Sequence, residues 1–138
     1  MKITKIDFDE QDSYGGDVVV PAGKYRVEVV EFERCTASTG TEQIRCVVKI
    51  LDRREFDGQE KHEYFPLVGG ASWKLRRFFK VLKEAGSLEG TMDIDSVEFE
   101  ELLQSCKGKT LSVTYGIEDY EGMDRNVLRR FDRDKKSE

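Results

Sequence analysis

The order of the elements that the sequence predicts indicates a β-rich α+β fold. Apolar and polar residues alternate along five segments, which is the period of strands with one buried face. Two further segments carry apolar residues at helical spacing, and glycine-containing turns separate most of the elements. The chain has 138 residues, so we expect a single domain with a core supplied largely by its one Trp, five Tyr and eight Phe.

The first predicted strand starts at Lys24, after a Pro-Ala-Gly sequence, and alternates apolar with charged residues. The alternation slips at Val30-Glu31 and resumes at Phe32, which predicts a β-bulge in a curved first strand. The Ser-Thr-Gly-Thr sequence at 38–41 then predicts a turn.

The second strand is predicted over residues 43–51 and the third over residues 61–68. The Phe-Asp-Gly-Gln sequence at 56–59 between them is typical of a hairpin turn. Pro66 indicates an edge strand or a strand end, because proline cannot donate to a sheet ladder.

Two helices are predicted to follow. The first has Ser72 as its N-cap and Gly86 just past its C-terminus. Its apolar stripe consists of Leu75, Phe78, Phe79, Leu82 and Ala85. The second is predicted over residues 96–106, where Asp95 and Glu98 have capping-box spacing.

Two last strands, over residues 111–117 and 124–131, are predicted with a hairpin loop at 118–123. Five strands with a helix between the third and fourth is the order of the OB fold, a five-stranded, partly open barrel. The sequence therefore predicts an OB-like barrel with an extra short helix before the fourth strand. Another small α+β sheet with a helix packed on one face remains the alternative.

We expect the domain to span residues 21–131. Residues 1–20 show no apolar period and hold two bases and five acids, which predicts a flexible acidic arm. Residues 132–138 contain no apolar side chain, which predicts a frayed, charged tail.

The net charge of −5 is unevenly distributed. Residues 71–86 hold five bases and one acid, and residues 125–136 hold six bases and two acids. Residues 87–106 hold six acids and no base. A local basic groove is thus compatible with an acidic chain, because phosphate binding depends on the local field.

Several classes of protein are disfavoured. No apolar run approaches the roughly 18 residues of a membrane helix, and the N-terminal residues lack the apolar core of a secretory signal. The three cysteines form no CxxC pair, and His62 is the only histidine, so we expect no metal site. Neither a phosphate-binding GxxxxGK[ST] loop nor a GxSxG elbow is present. We therefore expect a cytoplasmic protein without cofactor, metal or enzymatic activity.

Residues 21–67 begin with a Pro-x-Gly-x-Tyr sequence, and residues 106–131 contain a Gly-Lys pair, a strand, a hairpin and an Asn-bearing last strand. These stretches resemble a phage and prophage protein family known as a domain of unknown function. Its members resemble single-stranded DNA-binding proteins and are commonly encoded beside recombination and replication genes. The similarity covers about residues 20–131. It implies an OB-type fold, single-stranded DNA as partner and the cytoplasm of a phage host as location.

A protein that binds single strands combines basic side chains for the backbone with aromatic side chains for stacking on bases. On an OB fold we expect these on the middle strands and the flanking loops. The candidates are Arg26, Arg45 and Lys49 on the first two strands, Lys61 with Tyr64 or Phe65 on the third, and Tyr120 and Arg125 at the last hairpin. Tyr120 is the preferred stacking residue, because it lies in a glycine-containing loop.

The first helix offers a secondary basic face of Trp73, Arg76, Arg77 and Lys80. In an OB barrel this helix caps the end opposite the usual ligand face, so we expect Trp73 to fold back onto the barrel or the arm. The alternative function is a protein-interaction module that modulates a host or recombination protein, which the acidic net charge favours. Recombination or replication proteins are possible partners, and the oligomeric state, the choice between DNA and RNA, and the binding-site size stay open.

Overall fold

A single antiparallel sheet dominates the computed structural model, which describes residues 19–51, 55–83, 88 and 90–134. The strands are β1 (Gly23–Thr36), β2 (Glu42–Leu51), β3 (Glu60–Pro66), β4 (Thr110–Tyr120) and β5 (Met123–Arg133). The helices α1 (Ser72–Leu82) and α2 (Val97–Cys106) lie between β3 and β4, and a 3-10 turn precedes α1. The strand order is β3-β2-β1-β4-β5. The β-rich α+β prediction is confirmed, and neither helix is long and apolar enough to cross a membrane.

The bulge predicted in the first strand is confirmed. Val29 pairs with Val48 of β2, whereas the next paired residue of β1 is Glu31, opposite Val47. Val30 is the extra residue of the bulge, and it shifts the alternation of side chains by one position. As a result Val29 and Phe32, three positions apart, both point into the core and are fully buried.

The hairpin between β4 and β5 is tighter than the predicted loop. Tyr120 pairs with Met123, so only Glu121 and Gly122 form the turn. Both have positive φ, 52° and 83°, which is the conformation of a two-residue type I′ turn. Because such a turn matches the twist of the strands, the ladder continues through residues 118–120.

The predicted N-cap is wrong by one residue in both helices. Ser72 is the first residue of α1 rather than its cap, and its hydroxyl donates to the carbonyl of Gly69 at 3.0 Å. The N-cap of α2 is Ser96, whose hydroxyl accepts from the amide of Phe99 at 3.1 Å. Asp95, the predicted cap, instead pairs with Arg34 of β1 at 2.9 Å. The predicted C-terminal end of the first helix at Gly86 lies outside the described residues.

Phe78 of α1 packs against side chains of both edge strands of the sheet. Its ring centroid lies 5.0 Å from that of Phe65 on β3 and 5.4 Å from that of Phe131 on β5. It also stacks on Phe32 of β1 at 5.5 Å. The sheet therefore curls around one helix, which brings its two edge strands towards each other.

The curled sheet is not closed by hydrogen bonding. No ladder joins β3 to β5 in the described part of the chain, where these strands are the two edges. The predicted barrel is therefore not confirmed. Of the predicted flanks, residues 1–18 and 135–138 lie outside the described residues, while Val20 is fully buried in the core.

Replacing Phe78 by alanine should lower the free energy of unfolding by about 3–5 kcal/mol, because it removes a ring that packs on three others. Urea denaturation followed by circular dichroism measures the change. Trp73→Ala on the same helix is the matched control, since Trp73 is 57% exposed. The control should stay within about 0.5 kcal/mol of wild type. Equal losses in both variants would contradict the role of Phe78.

Candidate nucleic-acid interface

The gap between β3 and β5 is bridged by side chains rather than by a ladder. Lys61 of β3, only 4% exposed, donates from Nζ to Oδ1 of Asn126 on β5 at 2.8 Å. The same amide accepts from the backbone N–H of Val20 and donates to its carbonyl, both at 2.8 Å. The side chain of Asn126 thus makes the same pair of hydrogen bonds to the backbone of Val20 that a neighbouring strand would make. It does so at the point where the two edges of the sheet approach each other.

A hollow of about 340 Å³ opens along this gap. Its rim carries Tyr64 of β3, which is 45% exposed, together with Lys74 of α1 and Arg125 of β5. The gap therefore brings together two residues predicted to bind nucleic acid, Tyr64 and Arg125, with a third, Lys61, buried between them. Arg45 lies next to Tyr64 across the β2–β3 ladder, where it pairs with Glu31 at 2.6 Å.

A second hollow, of about 230 Å³, continues from the first between α1 and β5. The two share Lys74 and Leu128. Trp73 lines the second hollow and is 57% exposed, so the expectation that it folds back onto the sheet is wrong. The reason is that Phe78, not Trp73, fills the space between the helix and the sheet. Residues 1–18 of the arm, the other segment that Trp73 was expected to cover, lie outside the described residues.

A bulge in β5 supplies two of the four bases that line the hollow beside Trp73. Arg130 pairs with Thr114 and Leu128 with Tyr115, so Arg129 is an extra residue on β5. Because of this insertion, Arg129 and Arg130 are both exposed, although successive residues of a regular strand point to opposite faces.

Gly116 makes room for the first of these arginines. A Cβ added there would lie 2.6 Å from Nε of Arg129, so the guanidinium crosses β4 where no side chain stands. Arg129 thereby reaches Glu118 at 3.2 Å.

We call the exposed and half-buried aromatic and basic side chains along both hollows the basic surface. It comprises the aromatic residues Tyr64 and Trp73 and the bases Lys74, Arg77, Arg125, Arg129 and Arg130. Of these, Lys74, Arg129 and Arg130 were not predicted as site residues. One feature of the sequence could have indicated Arg129 and Arg130. Leu128 and Phe131 are apolar residues three positions apart in a strand, and both can point inward only if a bulge lies between them.

Several predicted residues lie elsewhere. Phe65 is 1% exposed and belongs to the core, which removes it from the stacking candidates. Arg26 pairs at 2.7 Å with Asp134, which is buried. Lys49 stands between Glu28 and Glu60 on the neighbouring strands. The backbone of Tyr120 ends β4, but its side chain lies outside the described residues.

The predicted basic face of α1 is divided between two sides of the helix. Trp73 and Arg77 face β5, whereas Arg76 and Lys80 line a groove of about 510 Å³ between α1 and α2. The groove is otherwise largely apolar, with Leu75, Phe79, Leu88, Met92, Phe99 and Leu102 along its walls.

Two of the three cysteines, Cys46 and Cys106, are buried and offer little reactive thiolate at neutral pH. Burial raises the pKa of the Cys106 thiol to about 11 and also raises that of Cys46. No group of three or more His, Cys, Asp or Glu residues within the described ranges could hold a metal ion.

Asn126→Ala should lower the free energy of unfolding by about 1–3 kcal/mol, because the buried Val20 amide loses its acceptor. Urea denaturation measures the loss. Asp124→Ala, an exposed change on the same strand, is the control and should stay within about 0.5 kcal/mol of wild type. An unchanged Asn126→Ala variant would show that the bridge across the gap does not stabilise the fold.

No curated protein has a sequence that matches the chain. A protein family does match it over residues 6–126, which includes β1 to β4 and the first four residues of β5. Asn126, which bridges the gap, is the last residue of the match. Because this match covers most of its length, the chain belongs to the family described as protein of unknown function, DUF669.

Proposed function

We propose that the protein binds single-stranded DNA on the basic surface, as a binding protein rather than an enzyme. The observation that carries the proposal is Trp73, 57% exposed, with Arg77, Arg129 and Arg130 around the same hollow. An exposed indole beside several guanidinium groups combines a stacking platform with phosphate contacts, the two requirements of single-strand binding.

The single-stranded DNA would run along α1 and β5 and continue over the gap between β3 and β5. Arg77, Arg129 and Arg130 contact phosphates, while Trp73 and Tyr64 stack on bases near the two ends of the path. Base stacking on an exposed ring needs unpaired bases, so duplex DNA should bind more weakly. Such binding has little sequence preference and weakens strongly with salt.

The strand order supports an OB fold that is open between its third and fifth strands. In this proposal α1 and the Lys61–Asn126 bridge take the place of the missing ladder. The resemblance of the sequence to phage proteins further supports a role in phage replication or recombination, in the cytoplasm of a host cell.

Trp73→Ala should weaken binding by about 1–3 kcal/mol, the usual loss of one base-stacking contact. Fluorescence anisotropy of a labelled oligo-dT of about 30 nucleotides, longer than the ~4–16 that one OB fold covers, measures the affinity. Arg130→Ala should also reduce the slope of log K against log salt by about 0.7.

Arg133→Ala on the same strand and a duplex of equal length are the controls for this experiment. Arg133 is exposed and lies outside both hollows, so its loss should leave the affinity nearly unchanged. Failure of the wild-type protein to bind oligo-dT at low salt would refute the proposed function.

The groove between α1 and α2 favours a second candidate function, a protein-interaction module. Its apolar walls and two bases, Arg76 and Lys80, fit an acidic segment that carries apolar side chains. Neither base forms an ion pair within the described part of the chain.

An interaction partner should bind the wild-type protein and lose affinity for the double variant Arg76→Glu, Lys80→Glu, because repulsion replaces attraction at the groove. Affinity capture followed by a titration with the purified partner measures the difference. Arg77→Glu, across the helix, is the control. A partner that binds both charge variants equally well would exclude this groove.

A further inference from the structure

The bases of the basic surface are all held by carboxylates of the same chain. Arg129 and Arg125 approach the two oxygens of Glu118 at 3.2 and 3.9 Å. Arg130 and Arg77 approach the two oxygens of Asp132 at 2.9 and 4.0 Å. Two acids on the strand pair β4–β5 therefore lie within 4.0 Å of four arginines.

Glu118 and Asp132 stand on the surface rather than beneath it. Their side chains are 42% and 27% exposed, and the arginines that they contact are between 30% and 70% exposed. A phosphate that approaches one of these guanidinium groups meets a carboxylate already bound to it. The carboxylate must be displaced, or the phosphate must bind beside a like charge.

We propose that Glu118 and Asp132 compete with DNA phosphates for the arginines of the basic surface and keep binding weak and rapidly reversible. This inference rests on the proposed function and adds a means of release to it. The two carboxylates occupy the arginines of the free protein and return to them as a phosphate leaves. A bound strand is thereby exchanged step by step instead of being held until every contact breaks together.

If the two acids had the opposite role, their removal would change the affinity for DNA in the opposite direction. If they served mainly to orient the guanidinium groups towards phosphate, their removal would disorder the arginines and weaken binding. The exposure of Arg77, Arg129 and Arg130, each above half, favours competition, because neighbouring packing holds these side chains only in part.

The test compares Glu118→Gln and Asp132→Asn, alone and combined, with the wild-type full-length protein. Both changes keep the shape of the side chain and remove its charge. Binding to oligo-dT should tighten about 2- to 5-fold for each single change, as expected for the loss of exposed ion pairs. Stopped-flow measurements should show most of this tightening as slower dissociation. The salt slope should become steeper by about 0.7 for each additional phosphate that the variant neutralises.

Glu98→Gln on α2 is the matched control, because it changes the net charge equally and lies outside both hollows. Thermal unfolding confirms that all variants are folded. Weaker or unchanged binding in both single variants would overturn the inference, as would an equal tightening in Glu98→Gln. If wild type binds oligo-dT but the variants do not bind it more tightly, only the competition is refuted. Absence of binding in all proteins refutes the proposed function as well.

Discussion

The packing of Phe78 against both edges of the sheet is the interaction on which the rest of the structure depends. Its ring touches Phe65 on β3 and Phe131 on β5, two strands at opposite ends of the strand order. One side chain thus fixes the curvature of the sheet, the place of α1 and the width of the gap. Because Phe78 occupies the inner side of α1, the opposite side of the helix is left for Trp73 and its neighbouring bases.

The gap and the basic surface follow from that arrangement together with two local irregularities. The bulge in β1 keeps its apolar residues inward as the strand bends. The bulge in β5 turns two consecutive arginines outward at the place where α1 crosses. Without the second bulge, regular alternation would direct Arg129 and Arg130 to opposite faces of the sheet, and only one could stand beside Trp73.

Most of the fold could be predicted from the sequence, because alternation and turn residues are local signals. The five strands, the bulge at Val30 and both helices follow from such signals. Helix caps were harder to assign, since Asp95 and Ser96 are both good caps and only the ion pair with Arg34 decides between them. Whether the sheet closes into a barrel depends on the distance between its two edge strands. These strands are far apart in the sequence, so no local pattern predicts that distance.

The candidate site was harder to predict, because it combines residues far apart in the chain. Tyr64 was expected from its place on the third strand and Arg125 from its place at the last hairpin, and both line the gap. Trp73 was expected to be covered, since helical periodicity gives the side of a helix but not what lies opposite that side. Arg129 and Arg130 depend on a bulge that appears only as an irregular spacing between Leu128 and Phe131.

The balance of charge explains why an acidic chain presents a basic surface here and not on the outer faces of β1 and β2. There the bases are matched by acids: Arg26 by Asp134, Arg45 by Glu31, and Lys49 by its neighbours on adjacent strands. Along α1, by contrast, every charged residue is a base.

Within the described ranges, the five bases of the basic surface share three carboxylates, those of Glu63, Glu118 and Asp132. Each arginine of the surface therefore has a carboxylate partner in the free protein, and an exposed indole lies beside these arginines. In the proposed function such a surface would attract a polyanion without holding it tightly, because every phosphate contact would replace an existing ion pair. If the protein covers single strands as proposed and must then release them, arginines that already have partners are more useful than unpaired ones.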